Sequence, residues 1–121
     1  MNITFEKGLL GLEEYKEFTL MDIEDVKPYK VLQSVKDENV GLILISPFEI
    51  SKEYEVELDN NTINEIKIKS EKDIMLYTTV NINSATTNFR APIIINIKEQ
   101  LGKQIILQNE DYQIKHPISK G

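Results

Sequence analysis

Hydrophobic residues occur along the chain in short runs, most of them separated by glycine, proline, asparagine or aspartate. The cleanest pattern lies at residues 53–59, where Tyr54, Val56 and Leu58 alternate with four acidic side chains. Such alternation is typical of a strand with one buried face, and a short apolar run such as residues 41–45 suits a central strand. The pattern predicts strands at residues 2–5, 17–20, 28–35, 41–45, 53–59, 74–82, 93–95, 104–107 and 112–114.

Helical periodicity is weak by comparison. Asn60 or Asn61 can cap a short helix that carries Ile63 and Ile66 on one face, and a single helical turn is expected at residues 13–16. Many short strands separated by turns indicate an all-β, mainly antiparallel fold. We therefore predict one domain over residues 1–121, a small β-barrel or β-sandwich with one or two short helices.

The segment from Thr87 to Asn96 is the most distinctive in the chain, and it contains the only arginine, Arg90. Pro92 has no backbone donor, so it must open a strand, lie at an edge or mark a kink. The β-branched run that follows it is suited to a buried strand. The segment has no nucleophile and no set of metal ligands, so it indicates a role in folding or in docking. The residues concerned are Thr87, Asn88, Arg90, Ala91, Pro92 and Asn96.

Composition narrows the possible partners and the compartment. The net charge of −6 and the pI of about 4.8 disfavour direct nucleic-acid binding, since phosphate would be repelled, and they favour a basic partner. The absence of cysteine excludes disulfides and thiolate sites. The N-terminal residues lack the basic and apolar blocks of a signal peptide, and no apolar segment approaches the roughly 20 residues that span a bilayer. We expect a cytoplasmic protein that does not bind membranes.

Residues suited to catalysis or metal binding are sparse. His116 is the only histidine, so it has neither a cysteine to activate nor a second histidine with which to bind a metal. The polar run after Asp59 lacks the glycine and the closing glutamate of a calcium loop. The sequence therefore predicts no catalytic residue, no metal site and no cofactor, and we expect that the protein is not an enzyme.

The acidic residues at positions 53–59 are the main candidates for partner binding. On a strand, Glu53, Glu55, Glu57 and Asp59 would line one face. Two interpretations remain open: a solvated outer face, or a docking surface for a cationic protein, where such a row speeds encounter and fixes orientation. Further acidic candidates are Glu71 and Asp73, and Glu13 and Glu17.

Several of these motifs, taken in order, resemble one bacterial family, the FliW flagellar assembly factors. The resemblance runs nearly end to end, and its most specific part is the segment from Thr87 to Asn96. Phe89 stands where leucine is usual and Leu10 where proline is usual, and neither departure argues against the fold. The other matching positions are Ile3-Thr4-Phe5, Gly8 to Glu13, Leu32-Gln33-Ser34, Pro47-Phe48, Tyr54, Gly102, Gln104, Leu107, Tyr112 and Lys115-His116-Pro117.

The resemblance implies two protein partners. Members of this family bind CsrA, a small basic RNA-binding translational repressor, and so relieve repression of flagellin synthesis. They also bind flagellin, which frees CsrA until flagellin is secreted. The carboxylates would then dock on CsrA, either covering its RNA site or repelling RNA from beside it.

Two further expectations accompany this implied role. Flagellin segments can add as a strand to an exposed edge, and the edge near Arg90 to Asn96 is one candidate for that contact. The alternative function, from a different class, is a β-sandwich that binds a carbohydrate or another small molecule. With no tryptophan in the chain, a platform for stacking on sugars is poorly supplied.

Overall fold

Short strands dominate the part of the chain that the structure, a computed structural model, describes, which is residues 1–118 of 121. Within residues 1–118, helical structure is limited to helix α1, Asn60–Glu65, and two 3₁₀ turns, Pro47–Glu49 and Glu71–Asp73. The strands are β1 Asn2–Thr4, β2 Glu17–Asp22, β3 Lys30–Ser34, β4 Gly41–Ile45, β5 Ile74–Asn81, β6 Thr86–Thr87, β7 Ile93–Asn96, β8 Leu101–Gln104 and β9 His116–Pro117.

Seven of these strands close into a barrel. Their order is β4-β3-β2-β1-β8-β7-β5, and β5 returns to pair with β4 through Leu44 opposite Thr79. All neighbouring pairs in the ring are antiparallel except β1 and β8, which run parallel. Strands β6 and β9 extend the sheet outward from β5. The predicted all-β, mainly antiparallel fold is confirmed, and it is a barrel with a few short helices.

Alternate residues of the strands fill the barrel interior. Phe5 and Phe18 meet edge to face, with ring centroids 5.7 Å apart. Gly102 on β8 lies against this pair, and a Cβ atom there would come within 2.3 Å of the Phe5 ring. Only glycine therefore allows Phe5 to lie where it does. The central core residues are Ile3, Phe5, Leu9, Phe18, Leu32, Leu44, Tyr77, Ile93 and Ile95.

The prediction of a strand at residues 53–59 is wrong. The segment has no ladder partner among the described residues and runs beside the barrel. Its burial still alternates, since Tyr54 is buried whereas Glu55 and Glu57 are exposed. Alternating hydrophobicity thus reported which side chains face the core, and it did not require a neighbouring strand.

The later strands also differ from the prediction. Strand β8 is Leu101–Gln104, but pairing continues past it, with the Ile105 N–H donating to the Pro92 carbonyl at 3.1 Å. Pro92 has no N–H to donate in return, so the regular ladder stops there. Residues 112–114 are not a strand: the Gln113 carbonyl accepts a 3.0 Å hydrogen bond from the Phe89 N–H, but within residues 1–118 the ladder resumes at β9.

Helix α1 confirms the predicted short helix, with a different capping residue. The Asp59 carboxylate accepts a 2.8 Å hydrogen bond from the Thr62 N–H, so Asp59 is the N-cap in place of Asn60 or Asn61. The predicted helical turn at residues 13–16 is absent, since residues 13–14 form a turn and residues 15–16 have no regular secondary structure.

Candidate functional site

An open groove runs along one side of the barrel between two extended segments, and we call it the acidic groove. Its volume is about 550 Å³. One wall comes from residues 55–59 and the other from residues 105–109, directly after strand β8. The lining residues are Glu55, Glu57, Asp59, Thr62, Ile105, Ile106, Leu107, Gln108, Asn109 and Tyr112.

Tyr54 anchors the acidic wall to the barrel. Its side chain is 3% exposed, and its hydroxyl donates a 2.8 Å hydrogen bond to the carbonyl of Phe89. Tyr112 stacks on Tyr54 with centroids 4.8 Å apart, and its hydroxyl accepts a 2.8 Å hydrogen bond from the Glu55 N–H. Because the inward residue is fixed, the alternate carboxylates at Glu55 and Glu57 face solvent.

The three carboxylates that line the groove, Glu55, Glu57 and Asp59, differ in their hydrogen bonding within the protein. The backbone N–H of Thr62 donates to Asp59 and lowers the pKa of its carboxyl below the ordinary value of 3.8. Asp59 is therefore charged at neutral pH and is also needed as a helix cap. Within residues 1–118, the carboxylates of Glu55 and Glu57 make no hydrogen bond or ion pair that would compete with a partner.

The other predicted acidic candidates lie elsewhere. Glu53 is exposed but does not line the groove. Glu71 and Asp73 form the 3₁₀ turn before β5. Glu17 begins β2, and Glu13 accepts a 3.2 Å hydrogen bond from the Gly11 N–H. The structure thus brings together Glu55, Glu57 and Asp59 and leaves the remaining five outside the groove.

An aromatic cluster beneath the acidic wall was not predicted from the sequence. Phe89 stacks on His116 with centroids 4.1 Å apart and lies 4.9 Å from Tyr54. Phe48 meets Tyr54 edge to face at 6.0 Å, and Tyr112 completes the cluster. His116 is therefore a packing residue. The members lie far apart in sequence, and the pairing of β6 with β9 and of β7 with β8 helps to bring Phe89, Tyr112 and His116 together.

The segment from Thr87 to Asn96 has both ends in the sheet, with Thr87 in β6, Ile93–Asn96 as β7 and a turn between them. Strand β7 pairs with β5 on one side and with β8 on the other, and all four of its residues are buried. Strand β7 therefore has no free edge to which a flagellin segment could add, whereas a flagellin contact at the turn before it stays a prediction. Pro92 and Ala91 are buried as well, directly before the strand.

Polar side chains of the same segment bond to the protein itself. Asn88 accepts from the backbone N–H groups of Arg90 and Ala91 at 3.0 and 3.2 Å. The Arg90 guanidinium donates to the carbonyls of Tyr112 and Glu110 at 2.9 and 3.0 Å, which ties the loop behind the acidic groove to the barrel. These contacts hold the groove in place from behind.

Thr87 and Asn96, at the two ends of this segment, also form hydrogen bonds within the protein. The buried Thr87 hydroxyl lies 2.8 Å from the Thr79 carbonyl oxygen. The Asn96 amide donates to the Ile66 carbonyl at 2.8 Å, and its oxygen accepts from the Lys98 N–H at 3.0 Å. These intramolecular bonds give the polar residues of the segment a role in folding. A contact between the segment and a partner stays a prediction.

A second concave surface lies near β4 and β5, and we call it the apolar groove. Its volume is about 430 Å³, and its side chains are almost all hydrophobic. Ile82 is 68% exposed and Val26 is 48% exposed, so apolar area faces water here. The lining residues are Ile23, Val26, Tyr29, Ile43, Val80, Ile82, Ala85 and Ile118.

Searches for other kinds of site gave negative results. Among residues 1–118, no three histidine or acidic side chains are grouped so that they could hold a metal ion. No helix in that part of the chain is long and apolar enough to cross a membrane.

Comparison with known proteins gave consistent matches. The sequence model of a family described as FliW protein matches residues 1–118. The "Flagellar assembly factor FliW" of Clostridium tetani (strain Massachusetts / E88) is 51% identical over 120 residues, covering 96% of this chain and 83% of that protein. Its namesake in Clostridioides difficile (strain 630) is 44% identical over 125 residues, covering 100% and 96% respectively. A solved structure, "Crystal structure of the flagellar assembly factor FliW", is similar with a TM-score of 0.89 and 40% identity, covering 98% of this chain and 85% of that one.

Proposed function

The chain belongs to the FliW family of flagellar assembly factors, and we propose that it acts by reversibly binding two proteins, the basic repressor CsrA and flagellin. In this proposal CsrA docks on the acidic groove and is thereby kept from its RNA. Flagellin binding then releases CsrA, so that flagellin synthesis follows demand. The mechanism involves no chemical step, and it operates in the cytoplasm.

The observation that carries the CsrA assignment is the arrangement of carboxylates in the acidic groove. Glu55, Glu57 and Asp59 face one open surface in a chain with a net charge of −6. Charge complementarity of this kind speeds encounter with a basic protein and fixes its orientation. The alternative, a small-molecule site, is less well supported, because Tyr112 is the single aromatic residue that lines the groove and its ring is stacked on Tyr54.

RNA can be excluded from CsrA in two ways. The groove residues can cover the RNA site, or they can lie beside it and repel phosphate across a gap shorter than the Debye length of about 8–10 Å at physiological salt. A ternary complex that forms at high salt and is lost at low salt supports repulsion. Absence of the ternary complex at every salt concentration supports occlusion.

The apolar groove supports the flagellin assignment. The resemblance to the family implies that the terminal segments of flagellin are unfolded before export, and apolar side chains on such segments would be available for binding. The groove around Val26 and Ile82 exposes hydrophobic area that such a segment would remove from water. Because this surface differs from the acidic groove, release of CsrA would require either a flagellin large enough to reach both or coupling between the two.

Charge reversal tests the CsrA assignment. The double variant Glu55→Lys/Glu57→Lys is compared with Glu38→Lys/Glu99→Lys, which makes the same change in net charge at exposed residues outside the groove. Calorimetric titration with CsrA is expected to show a loss of at least tenfold in affinity for the groove variant, about 1.4 kcal/mol. The control variant is expected to lose less than threefold.

Two results would contradict this assignment. One is a groove variant that loses no more affinity than the control. The other is a loss confined to Glu71→Lys/Asp73→Lys or to Glu13→Lys/Glu17→Lys, which would move the docking surface to one of those clusters. Circular dichroism of each variant checks that the barrel is intact.

A further inference from the structure

One wall of the acidic groove is an open strand edge. Ile105 and Leu107 donate to the carbonyls of Pro92 and Arg90, so their N–H groups point toward the barrel. In an antiparallel ladder, successive residues point their N–H groups in opposite directions. The N–H groups of Ile106 and Gln108 therefore face the groove, and neither has an acceptor among residues 1–118.

This edge is open because strand β8 extends beyond the end of its neighbour β1. Strand β8 is flanked by β7 and by β1, but β1 ends at Thr4, which lies opposite Leu101. Beyond Gln104 no strand among the described residues continues the sheet on that side. The position is instead left to the acidic groove.

The opposite wall is also an extended segment, and its backbone is not fully hydrogen-bonded. Residues 55–59 form no ladder, and the N–H of Glu57 has no acceptor within residues 1–118. The groove is thus a channel between two extended segments that do not bond to each other. Two extended segments with unpaired N–H groups on either side of a gap are what remains when one strand is removed from a sheet.

We propose that the acidic groove binds an extended peptide segment, which adds as a strand to the edge at Ile106 and Gln108. The inference rests on the proposed function, because it states how the basic partner would use this groove. Main-chain hydrogen bonds to the open edge would supply affinity, as in other cases of strand addition.

The carboxylates define the chemistry of that segment. Glu55, Glu57 and Asp59 are spaced by two residues on an extended chain, which places successive carboxylates roughly 6.5–7 Å apart along the groove. Lysine or arginine at alternate positions of an added strand has the same spacing. The occupant is therefore a segment with a basic residue at every second position and apolar residues between, which can contact the exposed Ile106.

A second copy of this chain fits the groove less well. Pairing two such edges would bring two sets of carboxylates close to each other, and like charges in that arrangement are destabilising. Charged residues beside an open edge are a common protection against self-association. The same charges attract a basic segment.

Amide exchange measured by NMR tests the proposal directly. The probe is a capped hexapeptide of alternating lysine and valine at millimolar concentration and low salt, and the control is the glutamate–valine counterpart. The basic peptide is expected to slow exchange at Ile106 and Gln108 by at least fivefold, with little change at Ile105 and Leu107, which are already bonded. Unchanged exchange at Ile106 and Gln108 would overturn the proposal, as would equal protection by the acidic peptide or by self-association without peptide.

A proline variant provides a second measurement that uses CsrA. Gln108→Pro removes the N–H that faces the groove and leaves the Leu107 bond to Arg90 in place, whereas Gln108→Ala keeps the N–H. The proline variant is expected to bind CsrA at least fivefold more weakly than the alanine variant. If Glu55→Lys/Glu57→Lys weakens CsrA binding but Gln108→Pro equals Gln108→Ala, the strand-addition proposal fails and the proposed function stands. If the wild-type chain does not bind CsrA, the proposed function fails, and the peptide experiment still decides whether the edge accepts a strand. If Gln108→Pro does not fold, amide exchange on the wild type decides.

Discussion

Replacing Tyr54 by phenylalanine removes one oxygen atom from the contact that anchors the acidic wall. The hydroxyl donates to the Phe89 carbonyl at 2.8 Å in a buried setting, and no other donor among residues 1–118 reaches that carbonyl. The Tyr54 ring stays packed between Phe89 and Tyr112, so Tyr54→Phe leaves no large cavity. The variant therefore isolates the hydrogen bond from the packing.

The expected cost follows from the carbonyl that is left without a donor. A buried polar group that loses its partner costs about 1–3 kcal/mol, so we expect Tyr54→Phe to lower the free energy of unfolding by about 2 kcal/mol. For a chain of this length that corresponds to a fall in Tm of roughly 6–10 °C. The Glu55 N–H should also exchange faster, because the segment is less firmly held.

Urea denaturation followed by circular dichroism measures the change, with Tyr15→Phe as the matched control. The Tyr15 hydroxyl is 3.4 Å from the Asp37 carboxylate at a partly exposed site, so its removal should cost less than about 0.5 kcal/mol. Equal stability of the two variants would refute the reasoning. The acidic wall would then be held by ring packing alone.

Three further predictions concern the barrel and its tethers. Gly102→Ala places a Cβ atom 2.3 Å from the Phe5 ring, so the urea midpoint should fall by the equivalent of about 1–3 kcal/mol, and an unchanged midpoint would contradict the packing described. Burial raises the pKa of Tyr77 to about 12, so the contribution of its neutral form to stability is complete below pH 10.0 and is lost as the pH rises through about 12. Absorbance at alkaline pH measures tyrosine ionisation in the folded protein, and ionisation of all five tyrosines near pH 10 would contradict this prediction. Asn88→Ala with Arg90→Ala removes four hydrogen bonds, so a loss of about 2–4 kcal/mol is expected in urea, and unimpaired stability would reopen a binding role for these residues.

The sequence was sufficient for the all-β class, because short apolar runs bounded by turn residues mark most of the strands, but it left a barrel and a sandwich equally open. Runs such as residues 41–45 became strands, and the short helix lies where its pattern placed it. At residues 53–59 the same alternation predicted a strand that does not exist. Burial of Tyr54 needs only a surface to pack on, whereas a ladder needs a neighbour with free backbone groups, and sequence periodicity reports only the first.

The candidate site was predicted in part. Three of the four carboxylates at residues 53–59 do share a surface, because alternate positions of any extended chain point the same way. The opposite wall, at residues 105–109, was not predicted as part of a site. Its open edge depends on where β1 ends relative to β8, and no local pattern encodes that register.

The folding role of the segment around Arg90 also required the structure. A lone arginine beside a proline suits a docking residue as well as a tether. Its guanidinium is committed to two backbone carbonyls of the loop at residues 110–112. Those partners lie about 20 residues away in sequence, and the antiparallel pairing of β7 with β8, which continues to the Leu107 bond with Arg90, brings them within reach.

Displacement of RNA from CsrA is the most direct test of the central claim that this chain regulates by occupying other proteins. Fluorescence anisotropy of a labelled flagellin leader RNA bound to CsrA reports the exchange in solution. Addition of the chain is predicted to lower the anisotropy to that of free RNA, and later addition of flagellin is predicted to restore it. Anisotropy that stays at the value of the CsrA–RNA complex when the chain is in large excess would contradict the account.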